Sequence, residues 1–257
     1  MEKPIIGMCH LLALPGDPLY DKNGGMEKII EYALSDITML QDGGVDAILF
    51  SNEFSMPYQT KVEPITIAAM ARIIGELKHA IKVPFGVDCL FDPIATIDLA
   101  AVTNALFIRE VMSGVYASEL GLWNTDLGKT YRHIYNRGLT NLKVFNNVMP
   151  EFAKYILERD IGEIIVSTLF ISKPDALCVS GLTAGKVPNM DILIKIRDMN
   201  LDTSLFCNTG CTKDNIKQIL AIADGAIVGT ALKAEGNFNN PIDVNRVKEF
   251  MSAARGS

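Results

Sequence analysis

Eight times along the chain a short run of apolar or β-branched residues gives way to a longer segment with helical spacing, and few architectures accept that rhythm. The short runs are Ile5–Cys9, Ala47–Phe50, Phe85–Cys89, Ala105–Ile108, Lys143–Phe145, Ala176–Val179, Ser204–Phe206 and Ala226–Val228. Each has the length of a buried parallel strand. Between them, Met26, Ile29, Ile30, Ala33, Ile37 and Leu40 share one helical face that ends at Gly43-Gly44. Ile65, Ala69, Ile73 and Leu77 form a second stripe, with Pro64 at the first helical position. Further stripes are Ile94, Ile97 and Ala101; Tyr131, Ile134 and Tyr135; the segment Ile161–Ile171, apolar on several sides; Met190, Leu193 and Ile194; Ile216, Ile219 and Leu220; and Val244, Val247, Met251 and Ala254. The 257 residues shared over eight units give about 32 each, the size of a βα unit.

Two architectures fit such alternation. A doubly wound sheet carries its glycine-rich phosphate loop after the first strand, but His10 to Pro18 contains none. The nearest approach to a Walker motif, Gly181-Leu182-Thr183-Ala184-Gly185-Lys186-Val187, is one residue short and lacks the final Ser or Thr. The expected fold is therefore a closed parallel (β/α)8 TIM barrel, one domain over residues 1–257, with no linker or low-complexity segment to divide it. With 49% hydrophobic and 21% charged residues the chain is not disordered. Twenty-four basic against 30 acidic residues leave a net charge of −6, so no general attraction to nucleic acid is expected. No uninterrupted apolar run approaches the ~18 residues of a membrane span. The run Ile5–Leu14 is broken by Cys9 and His10 and has no basic leader, so the chain reads as cytoplasmic. Cys9, Cys89, Cys178, Cys207 and Cys211 form no CxxC pair and read as reduced, partly buried thiols.

A parallel barrel carries its site at the C-terminal ends of its strands. Those ends bring His10, Asn52, Glu53, Asp88, Asp92, Arg109, Glu110, Asn146, Asn147, Ser180, Thr183, Asn208, Thr209, Thr230 and Lys233 toward one mouth. At the opposite ends Asp46, Asp175, Asp202 and Asp224 read as turn and cap residues. Small residues after the seventh and eighth strands, the usual phosphate position of such barrels, make Asn208, Gly210, Gly229 and Thr230 the expected phosphate contacts, joined by Gly181 after the sixth. Alternatively Gly210 and Gly229 only permit tight turns. Glu53, Asp88 and Asp92 are the expected general acids or bases. Arg109 either holds a substrate anion or neutralises Asp88 or Glu53 internally. His10, Thr183 and Lys233 complete the expected substrate contacts. Cys9, His10, Cys89, Cys207 and Cys211 lie near strand ends without zinc-ribbon spacing, so neither a metal nor a cofactor is expected. No GxSxG is present. Trp123 and Tyr116, in the long connection Ser113–Thr125, either cover a ligand or pack beneath their own loop.

These residues resemble the BtpA family, which includes the SgcQ-like proteins, over nearly the whole chain. Ile6-Gly7-Met8-Cys9-His10-Leu11 and Leu14-Pro15-Gly16-Asp17-Pro18 are similar to the family's G-x-x-H-L and L-P-G-x-P. The likeness continues through Asp42–Ala47, Pro84–Asp88, Phe107-Ile108-Arg109, Ser113–Tyr116 with Leu120-Gly121, Ser180-Gly181 with Gly185, and Gly210-Cys211-Thr212 with Asn215. It is strongest at Ala223–Thr230, Leu232-Lys233, Gly236 and Asn240–Asp243 with Arg246-Val247. The resemblance implies a TIM-type barrel. It implies less about activity, since the family's name comes from a role in photosystem I accumulation while other members resemble enzymes of sugar or nucleoside metabolism. The chain also departs from the family pattern. E-N-F becomes Ser51-Asn52-Glu53-Phe54, R-N-D becomes Phe91-Asp92-Pro93, and D-x-x-x-K-H becomes Asn147-Val148-Met149-Pro150-Glu151, so chemistry dependent on those basic groups does not carry over.

Two functions are compatible with these features. One is a barrel enzyme acting by carboxylate acid/base chemistry on a phosphorylated small molecule, a sugar or nucleoside phosphate. The other is a non-catalytic assembly factor of the BtpA type on the same scaffold. A homo-oligomer suits either, although no helix face is diagnostic of one.

Overall fold

The computed structural model describes residues 3–181 and 189–256. Eight parallel strands close on themselves in the order β1 (Ile5–His10), β2 (Ala47–Ser51), β3 (Phe85–Asp88), β4 (Phe107–Glu110), β7 (Lys143–Asn147), β9 (Ala176–Val179), β10 (Ser204–Cys207) and β11 (Gly225–Val228). The seam is made by Ile5, Ile6 and Gly7 pairing with Ala226, Ile227 and Val228. Eight helices follow the strands: α1 (Gly25–Asp42), α2 (Pro64–Leu77), α3 (Pro93–Thr103), α4 (Leu127–Asn136), α5 (Ile161–Ser172), α6 (Met190–Asp198), α7 (Ile216–Ile222) and α8 (Val244–Arg255). The barrel read from the alternation is thus the observed fold, and each short apolar run overlaps one of its strands.

Strand alternation sorts the apolar residues into two cores. Ile6, Met8, Ala47, Leu49, Phe107, Ala176, Cys178, Phe206 and Ile227 form the interior cluster. The intervening residues, among them Ile5, Ile48, Val87, Ile108, Leu177, Leu205 and Val228, belong to the larger layer beneath the helices. Three rings fill the interior, with Phe145 lying 5.2 Å from Phe107 and 4.9 Å from Phe206 between centroids. Glycines make the room they need. A Cβ on Gly86 would stand 2.4 Å from the Phe107 ring, and one on Gly225 would stand 2.4 Å from Phe206.

Capping side chains start most helices. Asp126, Asp160, Asn189 and Asp243 accept backbone N–H bonds at the heads of α4, α5, α6 and α8. Three rim aspartates act alike at the barrel's other end. Asp46 accepts from Ile5 N (2.7 Å), Asp175 from Val144 N (2.9 Å) and Asp224 from Leu205 N (2.8 Å). Each binds the turn before one strand to the start of its neighbour, while Asp202 is exposed before β10.

The long connection after β4 is not a plain loop. It folds as a hairpin of β5 (Val115–Ser118) and β6 (Gly121–Asn124), joined by β8 (Lys154–Tyr155) into a three-stranded antiparallel sheet. Gly114 and Gly121 take the positive φ its turns require, +103° and +87°. Trp123 and Tyr116 are buried beneath this sheet with Leu90, Phe91 and Val111, so the packed outcome is the one observed.

Gly86→Ala should overpack the barrel interior and cost about 1–3 kcal/mol. Thermal unfolding should show it, and Gly86→Ala with Phe107→Leu should recover part of the loss, since the nearest atoms to the added Cβ belong to that ring.

Candidate active site

At the C-terminal end of the barrel the inward positions become polar: His10, Ser51, Asp88, Arg109, Asn147 and Asn208, followed by Glu53 one step beyond β2. Arg109 is the hub. Its Nε donates to Asp88 Oδ2 at 2.7 Å, with Nη2 donating to the same oxygen. Nη1 crosses the barrel to Asn208 Oδ1 at 2.8 Å. Asn208 Nδ2 in turn donates to Ser180 Oγ (2.9 Å) and Asn147 Oδ1 (3.2 Å). One buried network therefore joins β3, β4, β7 and the segments following β9 and β10.

Glu53 stands at the edge of this network, its Oε1 3.9 Å from Arg109 Nη2 and its side chain 17% exposed. Ser51 Oγ lies 3.4 Å from one carboxylate oxygen, and Tyr58 OH lies 3.4 Å from the other while donating to the Glu53 carbonyl at 2.9 Å. Burial pushes its pKa up, Arg109 pulls it down, and the charges of Asp88 and Glu151 push it up again, leaving it at about 7. Arg109 is held charged: Asp88 and Glu53 outweigh the effect of its burial.

Glu110 faces the layer behind the strands and is fully buried. Its Oε1 accepts from Val111 N at 2.8 Å. Glu110 Oε2 and Asp88 Oδ1 have no hydrogen-bond partner among the described residues, and the two carboxyls are near enough to affect each other's ionisation. Burial and then the charge of Asp88 drive Glu110 far above the usual carboxylate range. Burial also raises Asp88, against the pull of Arg109. Since two anions this close cannot both persist in a dry site, the proton resides on Glu110 and Asp88 remains the partner of Arg109.

His10 and Lys233 form a separate wall. The His10 ring covers Gly229, where a Cβ would stand 2.8 Å from Nε2, and lies 5.5 Å from Phe238. Burial, with Lys233 and Arg109 nearby, keeps the imidazole neutral. Lys233 is fully buried, donates to the Phe238 carbonyl at 2.8 Å, and sits 4.9 Å and 5.4 Å from the Phe54 and Phe238 ring centroids.

Other expected site residues lie elsewhere or serve the backbone. Asp92 caps α3, one oxygen accepting from Ile94 N and Ala95 N and the other from Val62 N at 3.1 Å. Gly181 is buried just after β9, and Thr183 lies outside the described residues. Gly210 has φ +81° and its carbonyl accepts from Asn215 Nδ2. Thr230 opens a 3-10 turn after β11. The sequence reading passed over Glu151, which accepts a hydrogen bond from Thr209 Oγ1, and gave no role to Tyr58, Glu110 or Phe238. Alternation along β2 and β4 would have separated Glu53, facing inward, from Glu110, facing outward; the stretch around Phe238 has no period to read. Among the described residues no three His, Cys, Asp or Glu side chains gather as a metal site.

A BtpA family profile matches residues 1–256. The chain belongs to the BtpA family. The sgc-region protein SgcQ of Escherichia coli is 50% identical over 250 residues, covering 97% of this chain and 93% of SgcQ. The photosystem I biogenesis protein BtpA of Synechocystis is 31% identical over 256 residues, covering 98% and 88%. Solved structures share the fold at low identity. Phosphoribosylanthranilate isomerase from Thermotoga maritima superposes with a TM-score of 0.61 at 14% identity, covering 99% of this chain and 100% of that one. Thiamine phosphate pyrophosphorylase from Pyrococcus furiosus gives 0.58 at 14%, covering 99% and 96%. In this BtpA-family barrel no helix among the described residues is long and apolar enough to cross a membrane.

The ionisation of Glu53 makes stability depend on pH. Its folded pKa of about 7 exceeds the ordinary 4.5, so its contribution is fully present below about pH 4.5 and is lost as pH rises through 7. Glu53→Gln should flatten the decline of stability across that window, as read by chemical denaturation at several pH values. Glu110→Gln should fold normally, because an amide can donate to Asp88 and accept from Val111. Glu110→Ala should cost about 1–3 kcal/mol by leaving both partners unsatisfied, and denaturant midpoints distinguish the two.

Proposed function

We propose that this protein is a cytoplasmic enzyme acting on a small phosphorylated metabolite, a sugar or nucleoside phosphate, and that Glu53 is the group that exchanges the proton. The position of Glu53 carries this reading. It is the partly exposed carboxylate of the network, ready to gain or lose a proton near neutrality, whereas Asp88 is fixed against Arg109. Arg109, held in place by Asp88 and Asn208, presents its charge beside Glu53 and orients a polar substrate group there. Backbone N–H groups of Gly210, Gly229 and Thr230, residues that are themselves partly exposed on two neighbouring loops, are proposed to receive the phosphate, with Gly181 on the flank and His10 and Lys233 forming the wall. The names of the two structural neighbours record phosphate esters, which is compatible with this reading, although at 14% identity they speak for the fold.

Glu151 sets a condition on that phosphate. Its carboxylate holds Thr209 on the loop the anion would approach, so binding must displace it.

Titration with inorganic phosphate and with a panel of sugar and nucleoside monophosphates tests the proposal. Binding is expected in the wild type, tighter in Glu151→Gln, with the gain larger at low salt. Glu53→Gln should keep binding and lose turnover by about 100-fold or more. Absence of binding by every phosphate ester would overturn it.

A second reading, an assembly factor, has one observation in its favour: Arg109, Asp88 and Asn208 satisfy one another without a ligand. A partner protein retained by Asp88→Ala and Arg109→Ala variants would support it, and turnover abolished by those changes would reject it.

A further inference from the structure

Cys207 ends β10, and Cys211 returns to it across a loop of three residues. The Cys211 thiol donates to Cys207 Sγ with the sulfurs 3.2 Å apart, inside the ~3.5–4.0 Å of an ordinary packing contact. Three features bring them together. Gly210 turns the chain back at φ +81°. Asn215 clamps the loop, its Nδ2 donating to the Gly210 carbonyl at 3.0 Å and its Oδ1 accepting from Thr212 N at 2.7 Å. Asn208 N donates to the Val179 carbonyl at 2.8 Å, fixing the strand end from which the loop departs. Both thiols are buried, but Thr209 and Gly210 above them are partly exposed and Thr212 is exposed. A local opening of this one loop would be enough to expose them to a small oxidant.

We propose that Cys207 and Cys211 are a disulfide-forming pair, a modification site oxidised by hydrogen peroxide. One thiol reduces peroxide, gaining its oxygen as a sulfenic acid and releasing water. The second thiol attacks that sulfur, the S–O bond breaks, and a second water leaves. In total two thiols and one peroxide become one disulfide and two waters. The sulfurs close from 3.2 Å to about 2.05 Å, a shift of about 1 Å that the short loop must absorb. The ring so formed encloses Asn208, Thr209 and Gly210. Asn208 holds Arg109, and Gly210 lies where the phosphate is proposed to bind, so oxidation reaches the site through the backbone between the sulfurs. The disulfide stands apart from the proposed enzyme activity; only its effect on anion binding rests on that reading.

Mass spectrometry of the folded protein, treated with graded peroxide and then unfolded and alkylated, tests the pair. Residues 198–213 form one tryptic peptide holding both cysteines. In the wild type this peptide should become lighter by two hydrogens and resist alkylation, while Cys9, Cys89 and Cys178 still alkylate. Cys207→Ser and Cys211→Ser should each leave the remaining thiol free of any disulfide. Amide exchange across 208–212 should slow by about tenfold in the oxidised wild type and stay unchanged in the serine variants. The proposal is overturned if both cysteines stay alkylatable at peroxide levels that oxidise methionines, or if either pairs with a different cysteine. A disulfide without any change in phosphate affinity would retain the modification and count against the proposed phosphate position.

Discussion

A guanidinium buried inside a barrel of apolar rings has to be neutralised where it stands. Arg109 is 6% exposed, just above the layer of Phe107, Phe145 and Phe206, and an unpaired charge there would cost several kcal/mol. Asp88 on the neighbouring strand supplies the countercharge, and Asn208 supplies an acceptor from across the barrel. The remaining features of the mouth follow from that requirement. Glu110 must be neutral because Asp88 is not. Asn147 and Ser180 are oriented because Asn208 needs acceptors for its amide hydrogens. Glu53, farther out, is close enough to feel Arg109 and too far to be neutralised by it, which leaves its proton in play at neutral pH.

The barrel was legible because its evidence is periodic. Strand and helix alternate regularly, and each apolar run has the length of one strand. The hairpin was not legible: Val115–Ser118 and Gly121–Asn124 are four residues each, too short to establish a period, and their third strand comes from another loop. At the site the sequence located the ends of the strands but not the division of labour among the acids. Asp88 ends β3 and Asp92 follows it, yet Asp92 accepts from three backbone amides and Asp88 from Arg109. That difference depends on where Val62, Ile94 and Ala95 present their N–H groups, which no spacing reveals. The closeness of Cys207 and Cys211 depends likewise on the turn made by Gly210 and the clamp made by Asn215.

The departures from the BtpA family pattern converge on the charge of the mouth. Glu53 takes its place by a permutation after β2, and Glu151 stands in the segment where the pattern carries a lysine and a histidine. Both lie close enough for the charge of Glu151 to raise the Glu53 pKa. In the stretch after β3, Asp92 serves the head of α3. This barrel therefore keeps the glycine turns after β10 and β11 while the surroundings of Glu53 carry added negative charge.

The small sheet of β5, β6 and β8 also makes the two halves of the mouth unequal. Over β3 and β4 it lays down Tyr116 and Trp123, buried against Leu90, Phe91 and Val111. On the opposite side Gly210, Gly229 and Thr230 remain partly open. The two sides are therefore built differently: a packed aromatic layer stands over β3 and β4, and short glycine turns with partly exposed residues follow β10 and β11.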